Sequence, residues 1–328
     1  MKSNFLTKTA AIMAFAVAPF VTSCSSDDDN NNNNNQPGNT IVDIAAADQN
    51  FSVLVQALDR ADLVETLDGT TEYTVFAPTN DAFNDFLEEK GYASLNDVPV
   101  AALREILLNH VVSGTATSSS LQTGYVKTLA KGSASSTNTL SMFINTASGV
   151  VINGGAANGG ATVTTADIEA SNGVIHVVNS VIDLPTVVNH AIANPAFSIL
   201  VQALTRDDQP DFVGILSGTA NSPFTVFAPT DAAFVALLDE LSLETLNDVP
   251  QVTLQNALSY HVVTEANVLA ATLTDNMSVT TFQGGSFTVN LEGGASITDA
   301  NDRVSNIIVT DVQASNGVVH AIDKVLLP

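Results

Sequence analysis

Two stretches of this chain repeat each other block by block. Residues 51–58 read FSVLVQAL and residues 197–204 read FSILVQAL; residues 74–83 read TVFAPTNDAF and residues 225–234 read TVFAPTDAAF. LNDVP follows at 95–99 and at 246–250, then HVV from His110 and from His261, and each copy closes alike, in ASNGVIHVV from Ala170 and ASNGVVHAI from Ala314. The offset between copies is 146 residues at the first block, 151 at the middle ones and 144 at the last, so insertions and deletions fall between blocks. That is how loops vary around a fixed core. A period this long is no solenoid unit, and each copy is large enough to bury a core of its own. The chain is therefore expected to fold as two homologous domains in tandem.

Within one copy, residues 48–59 carry apolar side chains at 51, 54, 55 and 58, a helical spacing. Residues 73–77 read as a short strand closed by Pro78, after which Thr79 or Asn80 can cap a helix with apolar positions 82, 83, 86 and 87, stopped by Gly91. The second copy repeats this after Pro229, with Thr230 or Asp231 as cap and apolar positions 233, 234, 237, 238 and 241. FAPT is thus the end of a strand, a turn and the start of a helix. Its residues Pro78, Thr79, Pro229 and Thr230 read as architectural.

An apolar strand running into F-A-P-T-[ND]-x-A-F, a helix ending in a histidine, and a closing N-G-x-[IV]-H-x-[VI] resemble the fasciclin-like domain family, in both copies. The resemblance spans residues 40–328 and implies an α+β fold: in each domain a wedge of mainly antiparallel strands with several small helices packed on one side. Domain 1 is expected over residues 40–185 and domain 2 over 186–328. Asp183-Leu184-Pro185 runs almost directly into Thr186-Val187-Val188, the counterpart of Ile41-Val42, which leaves almost no linker and a restricted angle between the domains. Two similar surfaces held together suit a multivalent binder, because a second weak contact becomes intramolecular.

Four histidines invite a catalytic or metal reading. His110 follows Leu103, Ile106 and Leu107 by seven, four and three residues, which places it on the apolar face of its helix, and His261 stands in the same relation to Leu254, Ala257 and Leu258. His176 and His320 alternate with Val174 and Val178 and with Val318 and Ile322, in strands apolar on both faces and therefore buried. All four are expected to be core residues hydrogen-bonded to main chain or to a cap. No zinc-ligand spacing, nucleophile elbow or phosphate-binding glycine loop accompanies them. The turn Asp299-Ala300-Asn301-Asp302 lacks the full ligand ladder of a calcium loop and reads as an acidic surface turn. The expectation is a non-enzymatic chain with no cofactor and no metal. In animal relatives of the family a Tyr-His pair at the end of the second helix is implicated in binding cell-surface receptors, so the resemblance implies a partner-binding role for Tyr260 and His261. Domain 1 has Asn109-His110 there, half of the motif.

The first residues read as a processing segment rather than fold. Lys2 and Lys8, a short apolar stretch over 10–21, and small residues before Cys24, the single cysteine, resemble a bacterial lipoprotein signal spanning residues 1–23. Roughly twelve apolar residues are too few to cross a bilayer, which takes about twenty. Cys24 would then be the lipidated first residue of the mature chain and its only hold on the membrane. Residues 24–39, rich in Asp and Asn, read as a disordered tether that could reach roughly 50 Å when stretched. The acidic cluster just after Cys24 also resembles tags that export lipoproteins to the outer face of the outer membrane.

With 10 Lys plus Arg against 34 Asp plus Glu, the net charge is −24, which excludes nucleic acid and direct attraction to anionic lipid as partners. The sequence therefore points to a lipid-anchored, outward-facing adhesion or matrix-interaction protein, whose partner is a cell-surface or matrix protein or a polysaccharide. The alternative is an envelope module that binds a polysaccharide or small ligand for a transport or degradation system.

Overall fold

A computed structural model describes residues 39–328. The signal segment, Cys24 and nearly all of the tether lie outside the described residues.

Domain 1 runs α1 (Ile41–Ala47), α2 (Ser52–Arg60), α3 (Val64–Leu67), β1 (Tyr73–Pro78), α4 (Asn80–Lys90), α5 (Val100–Leu108), β2 (Val111–Ser113), β3 (Gly124–Lys131), β4 (Thr139–Asn145), β5 (Val151–Ile152), β6 (Ala161–Ala170) and β7 (Gly173–Val178). Domain 2 repeats the order as α6 (Val187–Ala193), α7 (Ser198–Leu204), α8 (Phe212–Ser217), β8 (Phe224–Pro229), α9 (Asp231–Leu241), α10 (Gln251–Tyr260), β9 (Val262–Val263), β10 (Met277–Thr280), β11 (Ser286–Asn290), β12 (Ser296–Thr298), β13 (Val304–Ala314) and β14 (Gly317–Ile322).

Local chemistry sets these boundaries. Thr40 and Thr186 open α1 and α6 through capping boxes closed by Asp43 and Asn189. Thr79 and Thr230, the final residues of the two FAPT blocks, cap α4 and α9 by accepting from the N–H groups of Ala82 and Ala233. Gly91 ends α4 in the left-handed region at φ 73°, where a residue without Cβ is unstrained; Ser242 does the same for α9 at φ 57°.

Both sheets are antiparallel except at one place. β1 runs parallel to β7, and β8 parallel to β14, so that the strand before each FAPT turn lies beside the closing NG-x-x-H strand. In domain 2 the strands stand in the order β10-β11-β12-β13-β14-β8-β9. In domain 1 the same wedge closes into a ring, because the eight-residue β3 reaches β2 and pairs Thr128 with Val112, whereas β10 has only four residues. Each domain buries two apolar clusters. One lies between helices and sheet and includes Phe83, Leu103 and Ile175 in domain 1 and Phe234, Leu254 and Val319 in domain 2. The other lies among the strands, around Phe76 and Met142 in domain 1 and Phe227 and Phe287 in domain 2. Full burial of each such side chain is worth about 1.5–3 kcal/mol.

One expectation needs correcting. His110 is not on the face of α5, which ends at Leu108; Asn109 is its C-cap and His110 follows it. The carbonyl of His110 accepts from the N–H of Phe76 in β1, and that of His261 from Phe227 in β8, so the sheet claims these residues where the helix would have continued.

Candidate functional site

The histidines form two matched pairs of latches. His110 Nδ1 lies 2.7 Å from the carbonyl of Ile106, one turn back, and its Nε2 accepts from the N–H of Ile182 at 2.8 Å. His261 repeats this with the carbonyl of Ala257 at 2.6 Å and the N–H of Leu326 at 2.9 Å. Each ring is therefore neutral, protonated on Nδ1, and pins the last segment of its domain to the end of the second long helix. Burial holds both down to about pKa 4 against the pull of the accepting carbonyls. His176 and His320 use the opposite tautomer. Their Nδ1 atoms accept from the N–H groups of Asp167 and Asp311, both in the left-handed region, and their Nε2 atoms donate to the carbonyls of Ala116 and Val268. All four side chains are buried, and no ring nitrogen remains for a metal or a reacting group.

The asparagine that opens each closing block does comparable work. Asn172 accepts from the N–H of Ile41 at the start of α1 and donates to the carbonyls of Leu67 and Gly69. Asn316 accepts from Val187 and donates to Leu216 and Gly218. The glycines that follow let the parallel strand come close: a Cβ on Gly173 would stand 1.9 Å from the carbonyl oxygen of Tyr73, and one on Gly317 2.2 Å from that of Phe224.

Tyr260 and His261, the pair that the resemblance marks for partner binding, both point inward. Tyr260 is fully buried against Phe287, its hydroxyl donating to the carbonyl of Ser286, so neither side chain offers surface to a partner in this conformation. The Asp299 turn is filled by the chain itself. Asp299 accepts from the N–H groups of Asn301, Arg303 and Leu327 and pairs with the Arg303 guanidinium at 3.2 Å. Among the described residues no group of three or more His, Cys, Asp or Glu side chains could hold a metal ion. Matching apolar cavities of about 30 and 20 Å³ lie beside His261 and His110, the volume of a water molecule rather than of an organic ligand.

The profile of the fasciclin domain family matches residues 49–185 and 195–328. The chain belongs to the fasciclin family. Protein sll1483 of Synechocystis is 41% identical over 143 residues, 44% of this chain and 72% of that protein. A second Synechocystis protein, sll1735, is 34% identical over 148 residues, 44% of this chain and 98% of its own length, so one fasciclin domain can make up nearly a whole protein. The solved FAS1 domain pair of the insect cell adhesion molecule fasciclin I matches 83% of this chain and 92% of that one, at 22% identity and a TM-score of 0.48. Fasciclin domains occur in adhesion and extracellular-matrix proteins.

The two fasciclin domains meet at a joint built from β3, β4 and the glycine-rich loop after β5 in domain 1, and from α6 and β13 in domain 2. Lys127 donates to the carbonyl of Asp311 at 2.8 Å, and the Ser141 hydroxyl accepts from the N–H of Gln313 at 3.0 Å. Ser133 and the N–H of Ala134 both donate to the carbonyl of Ser315. Gly132 is required there, since a Cβ would come within 2.4 Å of the Ser315 Cα. Asn158 and Asn189 exchange amide hydrogen bonds, and Asn194 reaches the Tyr125 hydroxyl. The fifth histidine, His190, which the repeat pattern does not flag because domain 1 has Ile44 there, is fully buried in this joint with its edge toward Tyr125. Its Nε2 faces the carbonyl of Gln313 at 3.3 Å, and burial lowers it to about pKa 4.

Proposed function

We propose that this fasciclin pair is a non-catalytic adhesion module, anchored through a lipidated Cys24 to the outer membrane and facing the cell exterior. Its partner in this reading is a matrix or cell-surface protein or a polysaccharide. The observation that carries it is the fate of the histidines. Four polar rings of the kind that serve catalysis are committed on both nitrogens to main-chain groups, so the chain's capacity to interact lies on its outer surface. A small ligand held in the interior is disfavoured, because the apolar cavities beside His261 and His110 have only about the volume of a water molecule. An acidic exterior selects neutral or cationic partners, or ones bridged by divalent ions. Protease digestion of intact cells compared with lysed cells tests the placement. Cleavage on intact cells keeps adhesion as the reading, and deletion of the gene should then reduce attachment or aggregation. Protection until lysis places the domains inside the envelope and ends it.

A further inference from the structure

Among the described residues, the joint face of domain 2 has an uncovered twin on domain 1. Asp43 stands where Asn189 stands, each closing the capping box of its helix, and Asp48 where Asn194 stands, each capping the following turn. Glu169 pairs with Val174 as Gln313 pairs with Val318, and the N–H of Ser171 donates to the Asn39 carbonyl as that of Ser315 does to Pro185. The two faces thus share one backbone arrangement. They differ in chemistry: Ile44 stands where His190 is buried, and three amides on the covered face are three carboxylates on the free one, each changed by a single atom type at constant shape. Gln313 is fully buried, whereas Asp43, Asp48 and Glu169 are exposed, beside a shallow cleft of about 650 Å³ that Ile44, Ala47 and Asp48 help to line.

Two of the three carboxylates remove a bond that the joint uses, Asp43 in place of Asn189 and Asp48 in place of the Asn194 amide that reaches the Tyr125 hydroxyl. The Asn189 amide donates to both oxygens of Asn158, at 3.1 and 3.0 Å; Asp43 keeps the capping bond but has no N–H, so the same approach sets acceptor against acceptor. Gln313 donates to Asn267, Ala314 and Gly317 within its own domain, which a glutamate cannot do. Judged by Gln313, Asn189 and Asn194 in the formed joint, closing the face would take Glu169 fully and Asp43 and Asp48 partly out of water, opposite one amine, that of Lys127.

We propose that Asp43, Asp48 and Glu169 keep the free face of domain 1 from docking a second β3–β4 surface, so that the joint forms once per chain and copies do not add end to end. Two like faces that meet heterologously otherwise generate open chains. The far end of the pair is blunted in parallel: by strand register Tyr125, Lys127 and Phe143 correspond to Ser278, Thr280 and Thr288 on β10 and β11, which supply neither ring nor amine.

Domain 1 has its own two apolar clusters and a closed strand ring, and a single such domain is nearly the whole of sll1735, so residues 40–185 are expected to fold alone. In isolation they expose both the β3–β4 surface and its acidic counterpart. By sedimentation velocity, with circular dichroism as the check on folding, the wild-type domain is expected to remain a monomer up to about 1 mM. The D43N/D48N/E169Q domain is expected to form head-to-tail oligomers, abolished by adding Lys127→Ala. A neutralised domain that stays monomeric, a wild-type domain that associates equally well, or association indifferent to Lys127 would each overturn the proposal. The reciprocal exchange needs no isolated domain. In the full chain Asn189→Asp, Asn194→Asp and Gln313→Glu should open the joint, read as an increased maximum dimension by X-ray scattering and faster proteolysis between residues 183 and 187. An unchanged scattering profile and cleavage rate would count equally against it.

Discussion

Mild acid should unfold this protein through its buried histidines. His110, His190 and His261 hold pKa values of about 4 in the fold, against about 6.5 in an unfolded chain. The causes are burial and, for His110 and His261, geometry: protonating Nε2 would aim an N–H at the N–H of Ile182 or Leu326, with no room for water between. A folded-state pKa below the unfolded one means that between pH 6.5 and 4 the unfolded chain binds protons that the native chain refuses, so stability falls as pH falls. The contribution is complete above pH 6.5, declines by about 1.4 kcal/mol per pH unit for each histidine, and is gone below pH 4, a total of about 3 kcal/mol per ring. Domain 2, with His261 and His190, should therefore lose about 3 kcal/mol per pH unit in that window and domain 1 about half as much. His320, also lowered by burial, steepens domain 2 further. Urea unfolding followed by circular dichroism at half-unit steps from pH 7.5 to 4.5 measures this directly. The native midpoint should drop across the series, and His261→Gln, although less stable at pH 7, should show a shallower dependence. Stability that is flat or rising between pH 7 and 5 would refute the assigned tautomers and with them the latch mechanism.

Other substitutions test the same architecture. Asn316→Ala strands the N–H of Val187 and the carbonyls of Leu216 and Gly218, and should cost about 2–5 kcal/mol by thermal or urea unfolding. Gly317→Ala places a methyl against the main chain of Phe224; because backbone on the β8 side cannot withdraw, the expected result is loss of soluble protein, whereas Gly69→Ala, with nothing nearer than 3.8 Å, should be tolerated. Tyr260→Phe removes only the bond to Ser286 and should cost about 1 kcal/mol, while Tyr260→Ala empties a fully buried site and should cost about 3–5 kcal/mol. If Tyr260→Phe leaves stability intact but abolishes attachment of cells, the hydroxyl acts on a partner and the inward-facing assignment is wrong.

Much of this fold was legible because the signals are local. Thr79 and Thr230 cap their helices through side chains that reach three residues ahead, Gly91 ends one by adopting a positive φ, and the alternation around His176 and His320 marks strands buried on both faces. Periodicity carries α5 past its true end at Leu108, because nothing within the helix stops it. The carbonyl of His110 is taken by Phe76, thirty-four residues away, and the periodic apolar pattern simply runs on into the sheet. The Tyr-His pair illustrates the limit from the other side: only His261 has the spacing of an apolar helix face, since Tyr260 follows Thr253 and Asn256 by seven and four residues, and it is the packing of Phe287 and the reach to Ser286 that show the tyrosine to be interior.

Taken alone, the repeat determined that there are two domains of one kind, where their helices and strands begin, and that the histidines sit among apolar neighbours. These follow from bonds and periodicities spanning a few residues, which any window of sequence contains. Tertiary structure alone decided which tautomer each histidine holds, that Asn172 and Asn316 tie the first helix of each domain to its last hairpin, and that domain 1 closes into a ring while domain 2 stays open. It also decided that an amide-for-carboxylate difference between the copies falls on a covered face in one and an open face in the other. Most of those outcomes depend on groups brought together from distant parts of the chain, as His110 is with the N–H of Ile182, 72 residues on, and Asn172 with that of Ile41, 131 residues back, and no local pattern encodes who the distant partner will be.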